Sequence, residues 1–180
     1  MRVVASLIFV SIAASNFAAE TAPAVTAETE KKFDWSKAET VEAFFRFAAG
    51  KYNWPETVKF EKAEYTVENK ITALGALFVI DKATKDDVVK ATYAAANIMG
   101  QTVARGATLD RAGLFFETPG GTVAAVVLPP QDLKKLGAES IKGAKADKAA
   151  LNKMVAALVA KLNWKEVDPL VRDNPATKKP

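Results

Sequence analysis

Neither cysteine nor histidine occurs among the 180 residues. Without them the chain has no disulfide, none of the usual zinc, copper or haem ligands, and no Ser-His or Cys-His pair to activate a nucleophile. A lipid-modified N-terminus built on cysteine is excluded as well. Beyond the first twenty residues only Ser36 and Ser140 remain as serines. No Walker-type loop, dinucleotide glycine fingerprint or calcium-loop pattern is present. The chemistry left is that of carboxylates or of a Ser-Lys pair. We assign no catalytic residue, no metal ligand and no cofactor from the sequence.

What is present describes an ordinary globular domain. Hydrophobic residues make up 49% and charged residues 26% of the chain, a balance typical of one folded unit of this length. The N-terminus carries one positive charge, Arg2, followed by an apolar run from Val3 to Ala14 and then small residues. That run matches a signal-peptide core and falls short of the roughly 20 residues needed to span a bilayer. We expect residues 1–18 to be a signal peptide, with cleavage after Ala18 or Ala19 and a periplasmic or secreted product; a retained N-terminal anchor is the rival. The Ala-, Thr- and Glu-rich stretch 19–32 reads as a flexible leader, 33–167 as a single domain, and 168–180 as a C-terminal tail.

Periodicity divides the domain further. Ser36 and Glu39 fit a capping box opening a helix, whose stripe is Val41, Phe44, Phe45, Ala48 and Tyr52. From Thr57 to Asp81 apolar residues alternate with polar ones, with a slip of phase near Glu61–Lys62 that implies a bulge or tight turn. The run "ITALGALFVI" reads as a strand covered on both faces over its second half, with Gly75 marking a bulge or a close backbone approach. Thr84 and Asp87 form a second, weaker capping signature before a helix rich in small residues, and Gly106 is placed to end it. A hairpin with the turn "TPGG" follows, then a helical turn at "PPQDLKKLG" and a polar loop at "ESIKGAKAD". A last helix, starting near Asp147, presents Leu151, Met154, Val155, Leu158 and Leu162. The expected fold is α+β: a single antiparallel sheet of four or five strands with helices packed on it, in the order α-β-β(-β)-α-β-β-α. Secretion chaperones and other small adaptor modules are similar in element order, and in element order alone.

Two stretches resemble each other. "GKYNWPETV" (Gly50–Val58) and "AKLNWKEVD" (Ala160–Asp168) share a Lys-apolar-Asn-Trp-x-Glu order. We read them as helix endings, with Asn53 and Asn163 in the left-handed conformation and Trp54 and Trp164 folding back on the last turn. A paired-tryptophan ligand site and a duplicated helix are the rival explanations.

Charge is unevenly distributed. Residues 131–180 carry 11 basic and 6 acidic groups, whereas 19–130 carry 13 basic and 15 acidic. A solvated lysine-rich face explains this; a surface for an anionic partner is the sharper reading, with Lys145, Lys148, Lys161, Arg105 and Arg111 as its candidate residues. The functional expectation is an exported, non-catalytic binding or adaptor protein, chaperone-like, of the bacterial envelope. Its partner would be an unidentified protein or an anionic envelope polymer, with no specific nucleic acid and no transmembrane span after signal cleavage. The alternatives are a carboxylate-dependent hydrolase or lyase and a structural envelope component held by its N-terminal segment. Glu64 and Glu68 could coordinate a hard cation, Asp86–Asp87 suit the first turn of a helix, and Ser140 with Lys142 has the spacing of a Ser-x-Lys dyad.

Overall fold

The computed structural model describes residues 34–119 and 121–160. Its elements are α1 (Ala38–Ala49), β1 (Val58–Glu68), β2 (Ile71–Ile80), α2 (Lys85–Ala104), β3 (Arg111–Thr118), β4 (Gly121–Val127), α3 (Pro130–Ser140) and α4 (Lys148–Ala160), with a 3₁₀ turn at Gly143–Lys145 between the last two. The fold is α+β, and the strands follow the order β1-β2-β3-β4 in one sheet. The expected signal peptide, leader and C-terminal tail lie outside the described residues.

The sheet is mixed, not wholly antiparallel. Two hairpins, β1–β2 and β3–β4, are antiparallel, but the central pair β2–β3 is parallel. The cause is the twenty-residue helix α2, which carries the chain back to the end at which β2 began, so that β3 enters beside it in the same direction. The β1–β2 turn is made by Asn69 and Lys70, both with positive φ (51° and 67°), the conformation that matches a two-residue connection to the strands' twist. The anticipated slip is a bulge between Phe60 and Lys62. It keeps Val58 and Phe60 on the same side as Ala63 and Tyr65.

Helix boundaries confirm one sequence signature and correct another. Thr84 and Asp87 form a complete capping box: the Asp87 N–H donates to the Thr84 hydroxyl and the Thr84 N–H donates to the Asp87 carboxylate. Gly106, φ 117°, ends α2, and the Gly106 and Ala107 N–H groups donate back to Val103 and Thr102. The Ser36–Glu39 box does not form. Ser36 turns instead to Asp34, donating both its N–H and its hydroxyl, and α1 starts after Lys37 without a side-chain cap. Nor is Asn53 left-handed: the described non-glycine residues with positive φ are Asn69, Lys70 and Lys82. Trp54 does return to the end of α1, through its indole N–H, which donates to the Ala49 carbonyl at 2.8 Å. Asn163, Trp164 and Leu162 lie outside the described residues.

The described helices lie on one side of the sheet. Helix α2 is buried nearly all round, including Ala91, Ala94, Ala95, Ala96, Ile98 and Met99, as a helix between other helices and a sheet must be. Its Gly100 approaches α3, not the sheet. A Cβ there would lie 2.7 Å from the Leu133 carbonyl oxygen and 2.9 Å from the Gly137 nitrogen. The segment expected as a short helical turn is thus an eleven-residue helix, because Leu133, Leu136 and Gly137 are buried against α2. Beneath the helices an aromatic row crosses three strands. Phe60, Phe78 and Phe116 are register partners, with ring centroids 5.7 and 5.3 Å apart, and Phe45 of α1 stacks on Phe60 at 5.4 Å.

Candidate binding surface

Strand alternation sends every second residue away from the helices. On β2 these are Ile71, Ala73, Gly75, Leu77 and Val79; on β3, Arg111, Gly113, Phe115 and Glu117; on β4, Ala125 and Val127. Nothing among the described residues covers them. Phe115 is 42% exposed, Val127 81% and Ile71 40%. The expectation that β2 is covered on both faces over its second half is therefore corrected. Leu77 and Val79 are only half-buried, shielded by their own neighbours in the sheet. Gly75 is a close approach and not a bulge. The Phe115 ring lies across it and across Gly113, 3.5 Å from where a Cβ would stand on either, so one aromatic ring covers two glycines on adjacent strands.

Charge borders this apolar band. On β1 the same face carries Lys59, Lys62, Glu64 and Thr66, with Lys62 and Glu64 paired at 3.5 Å. The outer edge of β1 is partly closed by α1, because the Tyr65 N–H donates to the Glu42 carboxylate at 2.8 Å. That contact satisfies an edge donor that would otherwise template another strand. At the start of β3, Asp110 accepts from the Thr72 N–H and hydroxyl at 2.8 and 2.9 Å, and these bonds hold its carboxyl below its ordinary value. The two bonds pin β3 beside β2, so the open face is a fixed platform.

The sequence candidates do not form one patch. Lys145 in the 3₁₀ turn and Lys148 at the start of α4 are exposed, together with Lys134, Lys135 and Lys153, on the helical side. Arg111 lies on the opposite, open face of the sheet. Arg105, half-buried, donates from Nη1 to the Gln101 carbonyl and side chain and sits 5.0 Å over the Phe44 ring. Lys161 lies outside the described residues. The Ser140 hydroxyl donates to the Leu136 carbonyl, and Lys142 pairs with Glu139, so the two do not form a dyad.

Other arrangements offer less chemistry. No group of three or more Asp and Glu residues suited to a metal occurs among the described residues. The carboxylates with a resolved shift, Asp34, Asp87, Asp110 and Glu139, are all lowered. At Asp87 burial works against the charge, but hydrogen bonds from Thr84 and Thr57 and the nearby Lys90 outweigh it. None of the four is raised as the acid of a catalytic pair would be. Tyr52 is pushed up to about 12 by burial, against the opposing hydrogen bond from Asn97. A depression of about 630 Å³ beside Arg46, Trp54, Glu56 and Lys59 is open to solvent. Its charged groups are exposed and do not converge on a buried point.

No family model matches the chain, and neither a curated protein nor a solved structure does. Sequence reasoning missed the open face because a continuous apolar strand looks the same whether one or both of its sides are covered. A signal was present in the neighbouring strand. In "AGLFFET" the alternation sets Gly113 and Phe115 against Ala112, Leu114 and Phe116, giving one side a hollow beside a single large residue.

Proposed function

We propose that this protein is an exported, non-catalytic binding module whose working surface is the open face of its sheet. The observation that carries the reading is the exposed apolar band through Leu77, Phe115 and Val127, bordered by charge on β1. Water-exposed apolar area of this kind on a fixed sheet is costly, and it stabilises a complex when a protein surface covers it. Export is supported by the Arg2-led apolar segment and the small residues that follow it. Replacing Val127 with Asp tests the reading, because this exposed side chain contributes little to the fold. The variant should melt like wild type yet lose its protein partner. N-terminal sequencing of the mature protein tests export, with a start at Ala19 or Glu20 expected.

A second reading is favoured by the exposed lysines about α3 and α4. Lys134, Lys135, Lys145, Lys148 and Lys153 would draw an anionic envelope polymer or lipid surface, with affinity falling as salt is added, since the Debye length is only about 8 Å at physiological ionic strength. Lys145→Gln with Lys148→Gln should reduce cosedimentation with anionic vesicles at low salt. Equal pelleting of variant and wild type would refute it.

A further inference from the structure

We infer that the open sheet face binds a second copy of this chain, face to face, about a two-fold axis running across the strands. The inference rests on the reading of that face as the binding surface. Its basis is the pattern that the register imposes. Two adjacent cross-strand rows occupy the middle of the face. One is Lys62, Leu77, Phe115 and Ala125; the next is Glu64, Gly75, Gly113 and Val127. Between them, on the covered side, lies the row of Ala63, Ala76, Leu114 and Val126.

A two-fold axis over that intervening row, in the plane between two facing sheets, lays each middle row on the other in the second copy. Every position then meets its complement. Lys62 faces Glu64, Leu77 faces Gly75, Phe115 faces Gly113, and Ala125 faces Val127. Large side chains meet small ones, and the cation meets the anion. The next rows outward behave the same way. Val79 falls over Ala73, and Glu117 falls over Arg111. A two-fold interface must be self-complementary in this sense, because one patch serves both sides. The Phe115 ring already leans over Gly75 and Gly113, toward the axis. Each ring thus covers the two glycines of its own copy, and the two rings meet above them in offset contact.

Size and edges agree with this arrangement. With strands about 4.8 Å apart and a rise of about 3.3 Å per residue, the face presents roughly 500 Å² per copy, or about 1,000 Å² in total, the lower bound for a specific interface. Sheet-on-sheet packing needs faces about 10 Å apart, a gap these side chains fill. Growth by edge pairing at β1 is opposed by Glu42, which occupies the Tyr65 N–H.

Sedimentation velocity on the full chain across a dilution series tests the inference. Wild type should pass from monomer to dimer as concentration rises. Val127→Asp should remain monomeric with an unchanged circular dichroism spectrum and, at dilutions where wild type is also monomeric, an unchanged melting temperature. Lys62→Glu should shift the midpoint of association to at least tenfold higher concentration, and the exchange Lys62→Glu with Glu64→Lys should restore it. A monomer at every concentration, or a dimer unaffected by Val127→Asp, would overturn the inference. A photo-crosslinking residue at position 127, in cells making the full chain, separates this from failure of the underlying reading. A crosslink between two copies supports both, a crosslink only to a different protein overturns the dimer and keeps the binding face, and no crosslink removes both.

Discussion

The two faces of the sheet are made by the same four strands and both carry phenylalanine, yet they are built to different rules. On the covered side Phe60, Phe78 and Phe116 form a row of rings beneath the helices, and Phe78 and Phe116 are inaccessible to solvent. On the open side the row one residue away holds Leu77 and Phe115 next to two glycines, and Phe115 keeps 42% of its surface in water. Apolar content alone does not say which side of a strand a protein buries. What separates the faces is whether helices are available to cover them, and here every helix among the described residues lies on one side.

Substitutions on the two faces test this contrast, beginning with the largest effect. Phe78→Ala should cost about 3–5 kcal/mol, as a fully buried ring leaves a cavity. Phe115→Ala should cost less than about 1 kcal/mol at dilutions where the chain is monomeric, because its ring is already half in water. Urea unfolding measures both, and equal losses would erase the distinction between the faces.

Glycines sharpen it next. Gly100→Ala sets a Cβ 2.7 Å from the Leu133 carbonyl, in the layer above the covered face. The resulting displacement of α2 from α3 should cost roughly 1–3 kcal/mol. Gly113→Ala on the open face meets only the edge of the Phe115 ring at 3.5 Å, so its stability should stay within about 0.5 kcal/mol of wild type.

Acid tests the covered side where α2 begins. Thr84→Ala removes the cap and should cost about 1 kcal/mol at neutral pH. The Asp87 carboxyl is depressed in the folded state, so the unfolded chain takes up its proton at higher pH than the native one. The stability it contributes is present above the ordinary aspartate value and lost as pH falls through the folded value. Asp87→Asn should therefore show a shallower loss of melting temperature on acidification than wild type; identical slopes would exclude this role. The smallest effect belongs to the open face. Val127→Thr, at a side chain 81% exposed, should move folding stability by no more than about 0.5 kcal/mol, as thermal unfolding at low concentration would show.

Much of the architecture was legible in the chain because it depends on neighbours in sequence. The capping box of Thr84 and Asp87 is a local exchange of hydrogen bonds. The alternation of Ala63 and Tyr65 with Glu64 and Thr66, and the slip before Lys62, follow from a two-residue period. Gly106 ends α2 through its own backbone freedom. The Ser36–Glu39 signature failed for a reason equally local but competitive: Asp34, two residues upstream, holds the serine first. The end of α1 was legible in part, since Trp54 does reach Ala49, but by donating a hydrogen bond and not through a left-handed Asn53.

The sequence by itself determined the two hairpins, the Thr84–Asp87 cap, the end of α2 at Gly106 and the absence of thiol and imidazole chemistry. Only the tertiary structure decided how the hairpins join, what Gly100 touches and which side of the sheet remains open. Parallel pairing of β2 and β3 follows from where α2 returns the chain. Contact between Gly100 and Gly137 joins residues on separate helices, and neither position's own neighbours encode it. The open face follows from the placement of the four described helices together on one side. The row that sets Leu77 and Phe115 beside Gly75 and Gly113 exists only once strands distant in sequence lie in register, because complementarity across a sheet is a property of paired strands and of no single one.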